Sequence, residues 1–265
     1  MPDSSATDVA TVLTVVTERG VTTLTLSRPE ALNALNVELR RQLLAAVKAA
    51  SRDPNVRTLI ITGAGRGFCA GADLRGAEGE RDFRRVLREE YHPLIDAIRS
   101  LPKPVVTAVN GVAAGAGMSL ALSADLVVAA EDARFIPAFG RIGLVPDSGL
   151  TRTLVRALGR HRAFEVLMGE RQLSATEAQV AGLAAAVVPA DRLADTAREL
   201  AERLAVGPTR AIGLTKRLIA DAEDATLSDS LAAEAALQYV AGGTEDHAEG
   251  VAAFVEKRDP VFRGR

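Results

Sequence analysis

From Pro104 to Ala124 the chain reads PVVTAVNGVAAGAGMSLALSA, with no charged residue. A run of that kind must leave water, either into lipid or into a protein core. It contains Gly111 and Gly115 at the GxxxG spacing, which in lipid would suggest helix pairing. Asn110, three glycines and the leading Pro104 fit poorly in one spanning helix, and Lys103 alone makes no interfacial belt. The run divides better into a buried strand, Val105–Val109, a tight NGVAAGAG turn, and a buried helix through Ser123. A strand apolar on both faces belongs inside a covered parallel sheet.

The same design occurs earlier in the chain. Val56–Thr62 is a continuous apolar and β-branched run, followed by the small-residue loop GAGRGFCAGADLRG from Gly63 to Gly76. Asp125–Ala130 reads as another strand, and Val12–Val16 with Val21–Leu26 as a strand pair around Glu18-Arg19-Gly20. Between them lie helical stretches. One is capped by Asn36, with Leu39, Leu43, Leu44 and Val47 as its stripe; another runs from about Arg81 to Ser100 and stops at Pro102 and Pro104. Strand–helix alternation of this type predicts an α/β core with parallel strands.

After Thr151 the pattern turns helical: Arg156–Met168, Ser174–Gly182 opening on a SATE capping box, Ala190–Leu204, Thr209–Ala220 and His247–Lys257. The expected organisation is a short disordered lead at 1–10, an α/β core at 11–200 and a helical appendage at 201–265. The polar, acidic start lacks the basic and apolar stretches of a signal peptide, so a cytoplasmic location is expected. A formal charge of −2 gives no large positive field, which argues against nucleic acid as partner. The lone Cys69 and the scattered His92, His161 and His247 have no metal-ligand spacing, so no metal is expected.

Two loops hold small residues where a ligand can touch backbone: Cys69-Ala70-Gly71-Ala72-Asp73, and Gly115-Ala116-Gly117 at a helix start. Two N–H donors converging on one carbonyl oxygen would form an oxyanion hole. Turn geometry and close helix–sheet packing explain the same glycines equally simply. Neither loop is a nucleotide fingerprint, since Phe68 stands where GxGxxG needs its third glycine, and GxxxxGK[ST] is absent. Gly117-Met118-Ser119-Leu120-Ala121 falls short of a nucleophile elbow because Ser119 lies inside the expected helix. Asp147, after a proline and before a helix, reads either as a helix cap or as a general base beside a thioester α-carbon.

Taken in order, RPEALNALN (Arg28–Asn36), GAGRGFCAGADL (Gly63–Leu74), AVNGVAAGAGMSLAL (Ala108–Leu122), FGRIGLVPDSGLTR (Phe139–Arg152) and GVAAFVEKRDPVF (Gly250–Phe262) resemble the crotonase, or enoyl-CoA hydratase/isomerase, family. The resemblance spans nearly the whole chain. It implies a spiral of β-β-α units, a C-terminal helical trimerisation region, and a homo-trimer or homo-hexamer. It implies an acyl-CoA thioester whose oxygen meets the Ala72 and Ala116 amides, with coenzyme A entering as part of the substrate and no separate cofactor. Arg28, Ala31, Leu32, Ala70, Asp73, Leu74 and Lys257 would lie along the CoA path. Phe83, Val86, Leu87, Ser119, Phe139 and Leu144 would line the acyl pocket, although ordinary core packing explains Phe139, Phe83, Val86 and Leu87 as well. Lys257 could instead complement a helix dipole.

Family members that hydrate 2-enoyl thioesters carry two glutamates, and the matching positions here are Ser119 and Phe139. Asp147 and the neighbouring motifs resemble the phenylacetate-pathway branch, the 2-(1,2-epoxy-1,2-dihydrophenyl)acetyl-CoA isomerases. The resemblance therefore implies an acyl-CoA isomerase with Asp147 as acid and base. A hydratase with water activated by Asp147, and a non-catalytic acyl-CoA-binding protein, are the alternatives.

Overall fold

The computed structural model describes residues 11–76, 82–168 and 171–265. The expected disordered lead at 1–10 and the helix start at Arg81 lie outside the described residues. In chain order, β1 (Leu13–Glu18) and β2 (Val21–Leu26) form an antiparallel hairpin. Helix α1 (Val37–Arg52) follows, with the Asn36 side chain accepting from Leu39 N at 2.8 Å as the cap residue predicted. Then come β3 (Thr58–Gly63), β4 (Gly67–Cys69), α2 (Phe83–Val86), a π-turn at Leu87–Tyr91, and α3 (His92–Ser100).

The uncharged run becomes β5 (Val105–Val109), β6 (Val112–Ala114) and α4 (Ala116–Ala121). Next are β7 (Leu126–Ala130), β8 (Arg134–Ile136), α5 (Leu150–Met168, kinked at Gly159), β9 (Leu173–Ser174), α6 (Ala175–Val180) and β10 (Ala186–Val188). Four helices complete the chain: α7 (Leu193–Ala205), α8 (Thr209–Ala222), α9 (Leu227–Gly242) and α10 (Glu245–Glu256).

Two sheets organise these elements. The larger has the order β1-β2-β3-β5-β7-β10 and is parallel from β2 onward; the smaller has the order β4-β6-β8-β9. Each step β3-β4, β5-β6 and β7-β8 carries the chain from the large sheet to the small one, and a helix brings it back. This repetition is a β-β-α spiral. Leu24, Leu26, Leu39, Leu43, Leu59, Ile61, Phe68, Ile98, Met118 and Phe135 fill its core and are almost wholly buried. The NGVAAGAG segment is a correction to the expected turn: Val112–Ala114 is a short strand paired with β4 and β8. Three residues are too few to show strand periodicity in sequence.

Helix α7 packs on β3, β5 and β7, so residue 200 lies inside an element of the core. Helix α9 has no buried residue, and Leu227, Leu231 and Tyr239 are exposed. Among the described residues no helix is long and apolar enough to cross a membrane, and no cluster of His, Cys, Asp and Glu could hold a metal ion.

Candidate active site

The two small-residue loops leave the ends of neighbouring strands β4 and β6 and meet. Gly71 has φ +95°, and a Cβ built on it would stand 2.7 Å from the Ala114 oxygen and 3.4 Å from the Ala116 nitrogen. Only glycine fits there without strain. Ala72 N follows Gly71 directly in the chain, so backbone dimensions hold it within about 7 Å of Ala116 N, near the span that two donors to one oxygen can bridge. Among the described residues neither amide donates to a protein acceptor. Gly117 is required by contact: its Cβ would sit 2.2 Å from the Cys69 carbonyl oxygen, so α4 rests directly on β4.

Side chains around the first loop hold its backbone. Leu35 forms an isolated parallel bridge with Ala72; Leu35 N donates to Gly71 O at 2.7 Å, and Asp73 N to Leu35 O at 3.3 Å. Asn33, fully buried with φ 58°, donates to Ala64 O and Gly67 O and accepts from Arg28 N. Arg28 donates to Ala34 O at 2.5 Å and pairs with Asp73 at 2.8 Å. That contact holds the Asp73 carboxyl below the usual carboxylate range. Arg28 and Asp73, expected along the CoA path, thus bind each other. Ala31, Leu32 and Ala70 are half-buried on the same stretch, Leu32 in the left-handed region, and Leu74 is exposed at the rim.

Asp147 stands on the loop before α5. Its Oδ1 is buried without a hydrogen-bond partner, as is the adjacent Ser148 Oγ. Asp147 Oδ1 receives no bond from an α5 amide, and Leu150 N donates instead to the Asp147 carbonyl oxygen at 3.1 Å. Burial raises the Asp147 pKa, with nearby Ser148 and His92 opposing the shift. A desolvated loop carboxylate with one unpartnered oxygen suits a general base tuned upward. Ser119 Oγ donates to the Asp147 carbonyl oxygen at 3.2 Å, tying α4, which begins with the Ala116 amide, to the loop of the carboxylate. Ser148 (φ 54°) and Gly149 (φ 83°) both take the left-handed conformation immediately after Asp147.

Of the expected acyl-pocket residues, Phe139 and Ser119 are buried, Leu144, Val86 and Leu87 are half-buried, and Phe83 is about half exposed. Lys257 is exposed and caps α10 in the left-handed conformation, away from these loops in sequence. Cys69 is buried and its pKa is pushed up to about 12 by burial, which leaves no thiolate for nucleophilic work. Sequence reading missed Arg40 and Tyr91. Arg40 is buried beside the apolar stripe of α1, where its neighbours Leu39 and Leu43 dominate the pattern. Tyr91 is buried and its pKa is raised to about 12, chiefly by burial and partly by the charge of Asp147.

Comparison with known proteins places these loops in a family. Residues 16–265 match the family described as enoyl-CoA hydratase/isomerase. The chain is 47% identical over 253 residues to the 1,2-epoxyphenylacetyl-CoA isomerase of Escherichia coli, with 94% of this chain and 97% of that protein covered. It is 38% identical to the 2,3-dehydroadipyl-CoA hydratase of the same organism, over 96% of this chain and 99% of that one. A crystal structure of an enoyl-CoA hydratase from Polaromonas superimposes with a TM-score of 0.89 at 38% identity, covering 94% of this chain and 99% of that chain. The chain therefore belongs to the crotonase, or enoyl-CoA hydratase/isomerase, family of α/β enzymes with a C-terminal helical region.

Proposed function

We propose that this enzyme isomerises an acyl-CoA thioester, shifting a double bond or opening an epoxide, with Asp147 moving the proton. The observation that carries the reading is the pairing of one buried, unpartnered carboxylate oxygen with two loops whose amides are free to donate. The thioester oxygen would sit between Ala72 N and Ala116 N. As Asp147 removes a proton from the carbon beside the thioester carbonyl, electrons move into that carbonyl. The resulting enolate oxygen is held by the two amides, each worth roughly 3 kcal/mol. For a 3-enoyl ester the electron pair then returns through the conjugated system, and Asp147 gives the proton back two carbons further along. No water is consumed, and the carboxyl ends as it began.

Ser119 and Phe139 support isomerisation over hydration. They stand at the positions where the family's hydratases carry glutamates, and neither can activate water. Ser119 is already engaged with Asp147 O, and Phe139 is buried and apolar. Similarity to an epoxyphenylacetyl-CoA isomerase favours an aromatic acyl group, and Phe139 gives the pocket an apolar wall. The hydratase reading draws support from the 38% identity with a dehydroadipyl-CoA hydratase. Supplying 3-hexenoyl-CoA, an epoxyphenylacetyl-CoA and crotonyl-CoA separates the two. Isomer formation at constant mass supports this reading, and a mass gain of one water on crotonyl-CoA at a comparable rate contradicts it.

A second copy of the chain is the proposed partner. Leu227, Leu231 and Tyr239 on α9, with Phe254 and Val255 on α10, are exposed apolar side chains of the kind an interface between copies covers. A trimer, alone or doubled to a hexamer, would bury it. Lys257, at the end of α10, would meet the CoA phosphates of its own or a neighbouring subunit. A cytoplasmic location and the absence of a resident cofactor complete the proposal.

A further inference from the structure

We infer that Arg40 is a positioning residue for the oxyanion hole and couples it to the helix that borders the acyl pocket; this rests on the reading of Ala72 and Ala116 as donors to the thioester oxygen.

The chain of contacts begins with a proline. Pro93 has no N–H, and its ring would clash with the carbonyl four residues back in a regular helix. Between α2 and α3 the ladder accordingly widens: His92 N donates to Leu87 O, five residues back, and Leu87–Tyr91 forms a π-turn. The extra residue turns Glu90 and Tyr91 toward α1, where both meet one guanidinium. Arg40 Nε lies 3.0 Å from Glu90 Oε2, and Arg40 Nη1 donates to Tyr91 Oη at 3.1 Å. The guanidinium carbon stands 4.6 Å from the Tyr91 ring centre.

The same Arg40 Nη1 donates to Leu35 O at 2.6 Å. Leu35 is the residue bridged to Ala72, and its carbonyl also accepts from Asp73 N. One buried cation thus touches, on one side, the turn between α2 and α3 and, on the other, the segment that fixes the Ala72 amide. Arginine suits the task because its planar fork reaches several acceptors at fixed angles. With Arg28 holding Ala34 O and Asp73, the loop of Ala72 is gripped from two directions. A shift of the π-turn, such as a poorly fitting acyl group would impose, is transmitted through Arg40 to the hole.

Arg40→Lys keeps the charge but cannot span Leu35 O, Tyr91 Oη and Glu90 together. Tyr91→Phe removes one acceptor and leaves the ion pair, so it folds even if the lysine variant does not. The direct readout is the carbonyl stretch of enzyme-bound phenylacetyl-CoA, labelled with carbon-13 at the thioester and measured by difference infrared spectroscopy. Wild-type protein should lower that frequency relative to free ester, and both variants should lose a large part of the lowering. Their kcat should fall about tenfold to a hundredfold, with KM for the acyl-CoA within about threefold. A purely structural role would move the melting temperature and leave the carbonyl frequency of the folded variants at the wild-type value, and that result overturns the inference. If wild-type protein itself does not lower the frequency, the oxyanion-hole reading fails and this inference with it.

Discussion

Replacing Gly71 by alanine tests the meeting of the two loops at its tightest point. The added carbon would stand 2.7 Å from the Ala114 carbonyl oxygen. Carbon–oxygen contacts settle no closer than about 3.3 Å, so the loops must part by roughly 0.6 Å. An amide that would sit ~2.9 Å from an enolate oxygen then stands at ~3.5 Å, outside the range of a useful hydrogen bond. Losing one such donor lowers kcat about a hundredfold to a thousandfold. The left-handed φ of +95° adds a stability cost of about 1–3 kcal/mol, against the ~5–15 kcal/mol a domain commonly holds. The variant therefore stays folded and becomes a poor catalyst, with KM nearly unchanged because the rest of the CoA ester still binds. Steady-state kinetics on a 3-enoyl-CoA, with circular dichroism to confirm the fold, measure both quantities. A folded Gly71→Ala enzyme with kcat within about threefold of wild type would refute the reasoning.

Asp147→Asn should bind acyl-CoA and fail to isomerise it. Because burial raises the Asp147 pKa, the stability linked to its protonation is present below the ordinary carboxylate range and lost as pH rises through the folded value. The asparagine variant should therefore melt higher than wild type at pH 8, and lose that advantage in acid. In wild type the acid limb of kcat should titrate above the ordinary carboxylate range; a limb below it would contradict the burial argument. Ser119→Ala removes the bond to the Asp147 carbonyl, worth about 1 kcal/mol, and should lower kcat roughly fivefold without restoring hydration. Changing both Leu231 and Tyr239 to glutamate should shift sedimentation to a smaller species; unchanged sedimentation would show that α9 is not the contact between copies.

The parallel core was legible because Val105–Val109 and the apolar part of Asp125–Ala130 are bounded by turn residues, and the structure makes strands of Val105–Val109 and Leu126–Ala130. Caps were legible for a local reason: Asn36 and the Ser174–Glu177 box bond to amides three residues away. The small sheet was not, since β4, β6 and β8 are three residues each, too short to show strand alternation. Helix α9 escaped notice because its apolar residues lie on every side and give no stripe. At the site, the two small-residue loops and Asp147 could be marked from residue type, a helix start and a carboxylate on a turn, whereas Ala72 and Ala116 as the donors came from the family resemblance. Arg40 and Tyr91 could not, because the contacts that bring Glu90 and Tyr91 onto Arg40 span 50 residues or more. Only Pro93, inside an otherwise helical stretch, marked the place where the ladder would open.

Exchange of the α-hydrogens of phenylacetyl-CoA in heavy water, followed by mass spectrometry, bears most directly on whether this site makes enolates. This ester has protons beside its carbonyl and no double bond to move, so enolate formation is the only event recorded. The wild-type enzyme should add deuterium at that carbon, and Asp147→Asn should not, although it binds the ester. An unlabelled ester after prolonged incubation with wild-type enzyme, or equal labelling by the asparagine variant, would mean that the buried carboxylate and the paired amides do other work.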